Sequence, residues 1–131
     1  MTETNFIQRV HRQLPKELYR WKIKDDYAGG VPDAWYRGDR ASLFVEYKYV
    51  PKLPKRETTL VRATLSELQV MWLHERQKQG ENCLVIVGVP TGGVVFDNIK
   101  QAHKGIPMSD FQSRILPIKD IARVLCDHCI R

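Results

Sequence analysis

Apolar residues recur along this chain with the period of a helix in some segments and of a strand in others. Residues 3–14 carry them at helical spacing behind Thr2, a suitable N-terminal cap, which predicts a first helix. Residues 19–27 alternate apolar and polar side chains, which predicts a half-buried strand before the glycines at 29–30 interrupt the chain.

Two more strands, at 33–37 and 43–50, are predicted around a turn at Gly38-Asp39-Arg40. The segment 51–62 is rich in Pro, Lys and Arg and is predicted to be a solvent-exposed loop.

The clearest helix runs from Ser66 to Gln79, where Ser66 and Gln69 fit the capping box and Gly80 ends the helix. Its apolar stripe is expected to face the core, and it consists of Leu65, Leu68 and Trp72. The three tryptophans are interpreted as core residues rather than as platforms for stacked bases: Trp21, Trp35 and Trp72.

A continuous apolar run at 84–89 predicts a buried strand, residues 94–96 a short strand, and residues 118–126 a last helix. The order helix, three strands, helix, strand predicts an α/β fold with a mixed central sheet flanked by helices.

With 131 residues, the chain suits one domain over residues 1–131, with its core at about 3–96 and a C-terminal extension at 97–131. No apolar run approaches the length of a membrane-spanning helix, and the N-terminus lacks the basic region and apolar stretch of a secretory signal. A cytoplasmic location without a membrane partner is therefore expected.

The formal net charge is +6, which favours a polyanionic partner because bound phosphates release condensed counterions. Basic residues are concentrated after the third strand, and they are candidates for contacts with a DNA backbone: Lys52, Lys55, Arg56 and Arg62. A charged loop that only maintains solubility would have the same composition.

The three cysteines, an odd count, argue against a disulfide framework. Cys126 and Cys129 have a C-x-x-C spacing with His128 between them, so zinc is an alternative. A structural zinc site normally needs a second pair of ligands, and none is visible in the sequence. The cysteines are therefore interpreted as small apolar residues at the end of the last helix.

Strand geometry places three side chains together. Because side chains alternate between the two faces of a strand, Glu46 and Lys48 project from the same side. A two-residue turn at Asp39-Arg40 puts Asp33 directly opposite Glu46, with Cβ atoms roughly 4.5–5.5 Å apart. A turn at Gly38-Asp39 leaves Asp33 diagonal to Glu46 on the same face, and only an odd-length loop or a bulge separates them.

Two carboxylates and a lysine on one face suit phosphodiester hydrolysis. Hard oxygen ligands bind Mg²⁺ or Mn²⁺, which acidifies an attacking water and polarises the phosphoryl oxygen. Lys48 would orient that water or offset charge in the transition state. The alternative is an ion pair on a solvated sheet face, and the longer strings Gly30-Val-Pro-Asp33 and Val45-Glu-Tyr-Lys48 disfavour it.

Gly30-Val-Pro-Asp33, followed on the next strand by Glu46-Tyr-Lys48, resembles the signature of the PD-(D/E)XK nuclease superfamily. Within it, the chain is most similar to the VRR-NUC-type nucleases and to the small Holliday-junction resolvases of phages and archaea. Those proteins also open with a helix that carries a glutamate. The similarity extends from residue 3 to about residue 90, and it implies the αβββαβ core of this superfamily.

The resemblance implies that Asp33 and Glu46 are metal ligands and that Lys48 is the catalytic lysine. It also implies that the backbone carbonyl of Tyr47 completes the metal shell.

Two further residues are implied less directly. Glu3 would be the acid of the first helix, close to the metal through its waters, although an acid in a first turn also complements the helix dipole. Glu17 is the other candidate, but it follows Pro15 at or past the end of the helix. Gln69 would face the site from the second helix, although its capping role accounts for it equally.

The implied function is a Mg²⁺- or Mn²⁺-dependent DNA endonuclease, active in DNA recombination or repair inside a phage-infected or prokaryotic cell. Its expected substrate is branched or otherwise structured DNA, and its small size favours a homodimer that cuts two strands symmetrically. One alternative is a nicking, restriction-like or replication-repair nuclease. Another is a DNA-binding protein without catalytic activity.

Overall fold

The computed structural model describes residues 2–24 and 29–131 of the chain. Its helices are α1 (Glu3–Arg12), α2 (Glu67–Lys78), α3 (Ile99–Lys104), α4 (Met108–Arg114) and α5 (Ile118–Cys129). Its strands are β1 (Tyr19–Lys22), β2 (Ala34–Arg37), β3 (Ser42–Tyr49), β4 (Leu60–Val61), β5 (Cys83–Val89), β6 (Gly92–Phe96) and β7 (Ile106–Pro107). The predicted order of helix, three strands, helix and strand is confirmed, with the short β4 inserted before α2.

Five strands form one sheet in the order β1-β2-β3-β5-β6. The first three strands pair antiparallel, β3 pairs parallel with β5, and β6 returns antiparallel to β5. The parallel pair requires a crossover, which α2 supplies. Helices flank both faces of this mixed sheet, so the predicted α/β fold class is confirmed.

The first face, called here the α1–α5 face, is packed by α1 and α5. Thr2 caps α1 in a capping box with Asn5, which agrees with the predicted helix start. The buried residues of this layer include Phe6, Val10, Val45, Tyr47, Ile86 and Leu125. Because the inward side chains of both helices and of the sheet are apolar, their burial is the main stabilising contribution of this layer.

The second face, called here the α2 face, is packed by α2, α3 and α4. Its buried residues include Leu73, Val85, Val87, Phe96 and Phe111. The four-residue edge strand β1 lies at one end of the sheet, beyond the part of this face that the helices cover.

The first strand differs from its prediction. It spans Tyr19–Lys22, and residues 25–27 of the predicted range lie outside the residues that the structure describes. It is exposed rather than half-buried because it is an edge strand, and Trp21 is 53% exposed. The interpretation of Trp21 as a core residue is therefore wrong, whereas Trp35 and Trp72 are half-buried.

Two other local predictions need correction. The segment 51–62 is not wholly a loop, because β4 pairs with β7, a partner that follows about forty-five residues later and that local patterning could not reveal. Leu68 is 56% exposed, so its place in the buried stripe of α2 is wrong. Leu73 is the buried residue of this helix instead.

The end of α5 holds the turn between β2 and β3. The backbone N–H groups of Arg40 and Ala41 donate to the carbonyl oxygen of Cys129, at 2.8 and 3.2 Å. A Cβ on Gly38 would lie 2.4 Å from that same oxygen, so this close approach requires glycine. The last helix ends at Cys129, three residues past its predicted end at residue 126, and its final carbonyl makes these contacts.

No helix among the described residues is long and apolar enough to cross a membrane.

Candidate active site

The register of the β2–β3 hairpin places Asp33 opposite Glu46. Ala34 pairs with Val45, and Trp35 pairs with Phe44. Asp33 directly precedes Ala34, and its carbonyl accepts a hydrogen bond from the Ile23 N–H at 2.8 Å, so the pairing with β1 continues there. The register predicted for a turn centred on Asp39-Arg40 is confirmed.

The carboxylate of Asp33 is held by the backbone of the neighbouring strand. The Tyr47 N–H donates to Asp33 Oδ2 at 2.8 Å. The contact fixes one carboxylate oxygen, and the Asp33 side chain also lies within hydrogen-bonding reach of Glu46.

Glu46 is a buried charged side chain in the middle of β3, with 2% of its surface exposed. Its Oε2 accepts a hydrogen bond from Gln69 Nε2 at 3.0 Å, and the Lys48 ammonium lies 3.3 Å from the same oxygen. Its Oε1 is also buried and has no hydrogen-bond partner among the described residues. Such an unsatisfied oxygen is costly in a folded protein unless a ligand uses it.

The protonation of Glu46 reflects this environment. Burial raises its pKa to about 8, and the adjacent Asp33 carboxylate acts in the same direction, whereas Lys48 lowers it. In the absence of a cation, the Glu46 carboxyl group therefore retains its proton at neutral pH. A positive charge at this position would release that proton.

The position of Gln69 depends on the loop that precedes Asp33. Gln69 completes the capping box with Ser66 and also donates to Glu46, so its two proposed roles are compatible. Gly30 has φ of 86°, and a Cβ there would lie 2.3 Å from the Leu68 carbonyl oxygen. The glycine of the Gly-Val-Pro-Asp string therefore allows the first turn of α2 to approach the site.

Glu3 lies at the start of α1, within electrostatic reach of the same cluster. Burial raises its pKa, the Asp33 carboxylate raises it further, and Lys48 and Lys22 lower it. The structure thus brings together the predicted residues Asp33, Glu46, Lys48 and Gln69, and Glu3 lies within electrostatic reach of Asp33 and Lys48.

The four basic residues predicted to contact DNA have exposed side chains: Lys52, Lys55, Arg56 and Arg62. Their segment is anchored at its end, because the Met108 and Ser109 N–H groups donate to the carbonyls of Thr59 and Glu57. The basic side chains are therefore presented to solvent from a backbone with defined attachments.

The possible metal ligands among the described residues are the acidic side chains, the histidines and the cysteines. No three His, Cys, Asp or Glu side chains converge there closely enough to hold a metal by themselves. Cys129 is a buried free thiol, and burial raises its pKa to about 11, which agrees with its interpretation as an apolar residue. A metal at Asp33 and Glu46 would need backbone or water oxygens as further ligands.

A buried chain of polar groups beneath the site was not predicted. The Tyr36 hydroxyl lies 2.7 Å from His11 Nε2 and 2.6 Å from the Tyr47 hydroxyl. Burial lowers the pKa of His11 to about 4, with Arg20 acting in the same direction, so the ring is neutral. The strand alternation that buries Ala34 also places Tyr36 inside, but nothing in the sequence indicates its partner on α1.

The fold of this chain is similar to that of a known protein, although its sequence matches none. No family model matches the chain, and no curated protein matches it in sequence. Its backbone is similar to the solved structure of Hjc, a Holliday junction resolvase from the archaeal hyperthermophile Archaeoglobus fulgidus. The alignment covers 92% of this chain and 96% of the other, with a TM-score of 0.57 and 16% sequence identity. A likeness at that identity establishes the fold that the two chains share.

Proposed function

We propose that this protein is a metal-dependent nuclease that hydrolyses phosphodiester bonds in branched DNA. The observation that carries the proposal is Glu46, a buried carboxyl group placed opposite Asp33 with one oxygen unsatisfied by protein. Buried polar atoms without a partner are rare in folded proteins, and this one belongs to a carboxyl group that also lies 3.3 Å from a lysine. Perturbed carboxyl groups of this kind are concentrated at functional sites.

The residues present fit a divalent cation. Asp33 and Glu46 would hold it, with the backbone carbonyl of Tyr47 and water as further oxygen ligands and Glu3 acting through water. Hard oxygen donors favour Mg²⁺ or Mn²⁺, and such an ion supplies a more acidic bound water and a polarised phosphoryl oxygen.

The other residues have supporting roles. Lys48, paired with Glu46 at 3.3 Å, would stabilise the negative charge that develops on the phosphoryl oxygens. Gln69 holds Glu46 Oε2 at 3.0 Å, so it would keep Oε1 directed to the cation. The Tyr47 N–H holds Asp33 Oδ2 at 2.8 Å, so it would keep the other oxygen of Asp33 directed to the cation.

The substrate class is inferred from the fold and from charge. Likeness to a Holliday junction resolvase favours branched DNA as substrate and a homodimer as the active form. The net charge of +6 and the exposed Lys52, Lys55, Arg56 and Arg62 suit contacts with phosphates on the arms of such a substrate.

The test is cleavage of four DNA substrates by the purified protein: linear, nicked, flapped and four-way. Each is incubated in Mg²⁺ and in EDTA. We expect Mg²⁺-dependent cuts in the four-way or flapped DNA, and loss of at least about 100-fold in rate for Lys48→Ala. Lys78→Ala is the matched control, because Lys78 is an exposed helix lysine whose ion pair among the described residues is with Glu75, at 3.9 Å.

Other outcomes would redirect the assignment. Cleavage of linear duplex at a defined sequence would indicate a restriction-like enzyme instead. Binding with steep salt dependence but no cleavage in Mg²⁺ would indicate a DNA-binding protein. Unchanged cleavage by the Lys48→Ala variant would exclude the proposed active site.

A further inference from the structure

Aromatic side chains line the part of the α2 face that the helices leave exposed. Trp21 pairs with Trp35 across β1 and β2, and Trp35 pairs with Phe44 across β2 and β3. Directly paired residues of antiparallel strands project from the same face, so the three rings form one row. We call Trp21, Trp35 and Phe44 the aromatic row.

The rings of this region form a continuous series. Tyr19 lies 6.1 Å from Trp35, Trp35 lies 6.5 Å from Phe44, and Phe44 lies 5.0 Å from Trp72, all measured between ring centroids. The outer end is open to solvent, since Trp21 and Tyr19 are 53% and 60% exposed. Exposed aromatic residues arranged as a group, rather than singly, indicate a binding surface.

The aromatic row lies next to the proposed active site on the same face of the sheet. Asp33 precedes Trp35 by two residues, and Glu46 follows Phe44 by two. Two residues of a strand span about 7 Å, and alternation returns the side chain to the same face. A DNA strand with a phosphate at Asp33 and Glu46 would therefore carry its next base to the row.

The charges around the aromatic row suit a polyanion. Arg37, two residues beyond Trp35, is exposed on the same face, and the guanidinium of Arg76 lies 5.2 Å from the centre of the Trp72 ring. Lys48 lies on this face at the other end. Cations interleaved with stacking rings are typical of surfaces that bind single-stranded nucleic acid.

A second copy of the chain fits this surface less well. The adjacent edge of β1 carries the exposed Lys22, and a lysine at a strand edge opposes edge-to-edge pairing.

We propose that the aromatic row binds unpaired nucleobases of the DNA strand whose phosphate lies at Asp33 and Glu46. The proposal rests on the nuclease function proposed above. It specifies the substrate further, as branched DNA with unpaired bases beside the scissile bond. Flat rings stack with any base, so the preference is for unpaired bases rather than for a sequence.

The test measures binding in EDTA, where hydrolysis is suppressed. Two labelled probes of equal length are titrated by fluorescence anisotropy: a single-stranded oligothymidine and the same backbone without bases. We expect the natural protein to bind the base-bearing strand about tenfold more tightly, since stacking of one base contributes roughly that factor. Trp21→Ala should abolish the difference between the probes, and Trp21→Phe should retain most of it.

A charge control separates stacking from phosphate contacts. Lys55→Ala should weaken binding of both probes equally and leave their ratio unchanged. Circular dichroism of the Trp21 variants checks that they fold, which is expected because this side chain is half exposed.

Two results would overturn the base-binding proposal: equal affinities of the natural protein for the two probes, and an unchanged ratio for Trp21→Ala. An unchanged ratio together with a change in sedimentation mass for Trp21→Ala would identify the row as a contact between copies. A base preference without any Mg²⁺-dependent cleavage would refute the nuclease function and leave base binding standing.

Discussion

The two faces of the central sheet differ in whether their buried polar groups have hydrogen-bond partners. On the α1–α5 face, the hydroxyls of Tyr36 and Tyr47 bond to each other at 2.6 Å, and Tyr36 also contacts the ring of His11 at 2.7 Å. On the α2 face, Glu46 is equally buried, but its Oε1 has no partner among the described residues. The first face satisfies these two hydroxyls internally, whereas the second leaves Glu46 Oε1 without a partner among the described residues.

Both faces of the sheet carry a buried apolar cluster, so the contrast between them lies in their polar groups. The α2 face also carries the costly features: paired carboxyl groups, a lysine and exposed aromatic rings. Because apolar side chains are buried on both sides of the sheet, these groups can remain partly unsatisfied without loss of the fold.

The largest expected contrast concerns two phenylalanines on opposite faces. Phe6 is fully buried on the α1–α5 face, whereas Phe44 is half-buried on the α2 face. We expect Phe6→Ala to lower the free energy of unfolding by about 3–5 kcal/mol, and Phe44→Ala to lower it by less than half as much. Urea denaturation of the two variants measures both values, and equal losses would contradict the difference in burial between the two rings.

The second expected effect is a dependence of stability on pH. Burial, assisted by Asp33, raises the pKa of Glu46 from 4.5 to about 8. The folded protein thus holds a proton that the unfolded chain releases above about pH 5. Stability from this group is therefore complete at low pH and is lost as pH rises through 8.

Glu46→Gln isolates this contribution, because the amide resembles the protonated acid and does not titrate. Without metal, we expect natural protein to lose about 2–4 kcal/mol relative to the variant between pH 5 and pH 8. Mg²⁺ at pH 8 should restore stability to the natural protein more than to the variant. Thermal denaturation over this range gives the comparison, and parallel curves for the two proteins would refute the raised pKa.

The smallest expected effect tests the satisfied polar chain. Tyr36→Phe removes the hydroxyl between His11 and Tyr47 and leaves both partners unsatisfied in the interior. We expect a loss of about 1–2 kcal/mol in the free energy of unfolding. Tyr49→Phe, on the same face but half exposed, is the matched control and should lose less. A neutral Tyr36→Phe would show that the chain contributes nothing to stability.

Much of the candidate site could be predicted from the sequence, because the turn of a hairpin determines which residues of its two strands are paired. Alternation places Glu46 and Lys48 on one face, and an even-length turn brings Asp33 opposite Glu46. The capping box of Ser66 and Gln69 was equally local and is present. Features determined by short-range geometry could therefore be predicted without knowledge of the fold.

Features determined by packing between distant parts of the chain could not be predicted from the sequence. The exposure of Trp21 depends on which strand lies at the sheet edge, and the pairing of β4 depends on β7, far along the chain. Gln69 could be predicted as a cap, but its contact with Glu46 depends on how α2 crosses the sheet. Long-range contacts of this kind leave no periodic signal in the residues involved.

The attachment of the hairpin turn to the end of α5 has a consequence for the dynamics of the chain. The amides of Arg40 and Ala41 sit in a turn, where amide protons usually exchange with water quickly. Here both bond to the carbonyl of Cys129, nearly ninety positions away. We expect their protons to exchange mainly when the last helix detaches, so that the hairpin beside the candidate site and the C-terminal helix open as one cooperative unit.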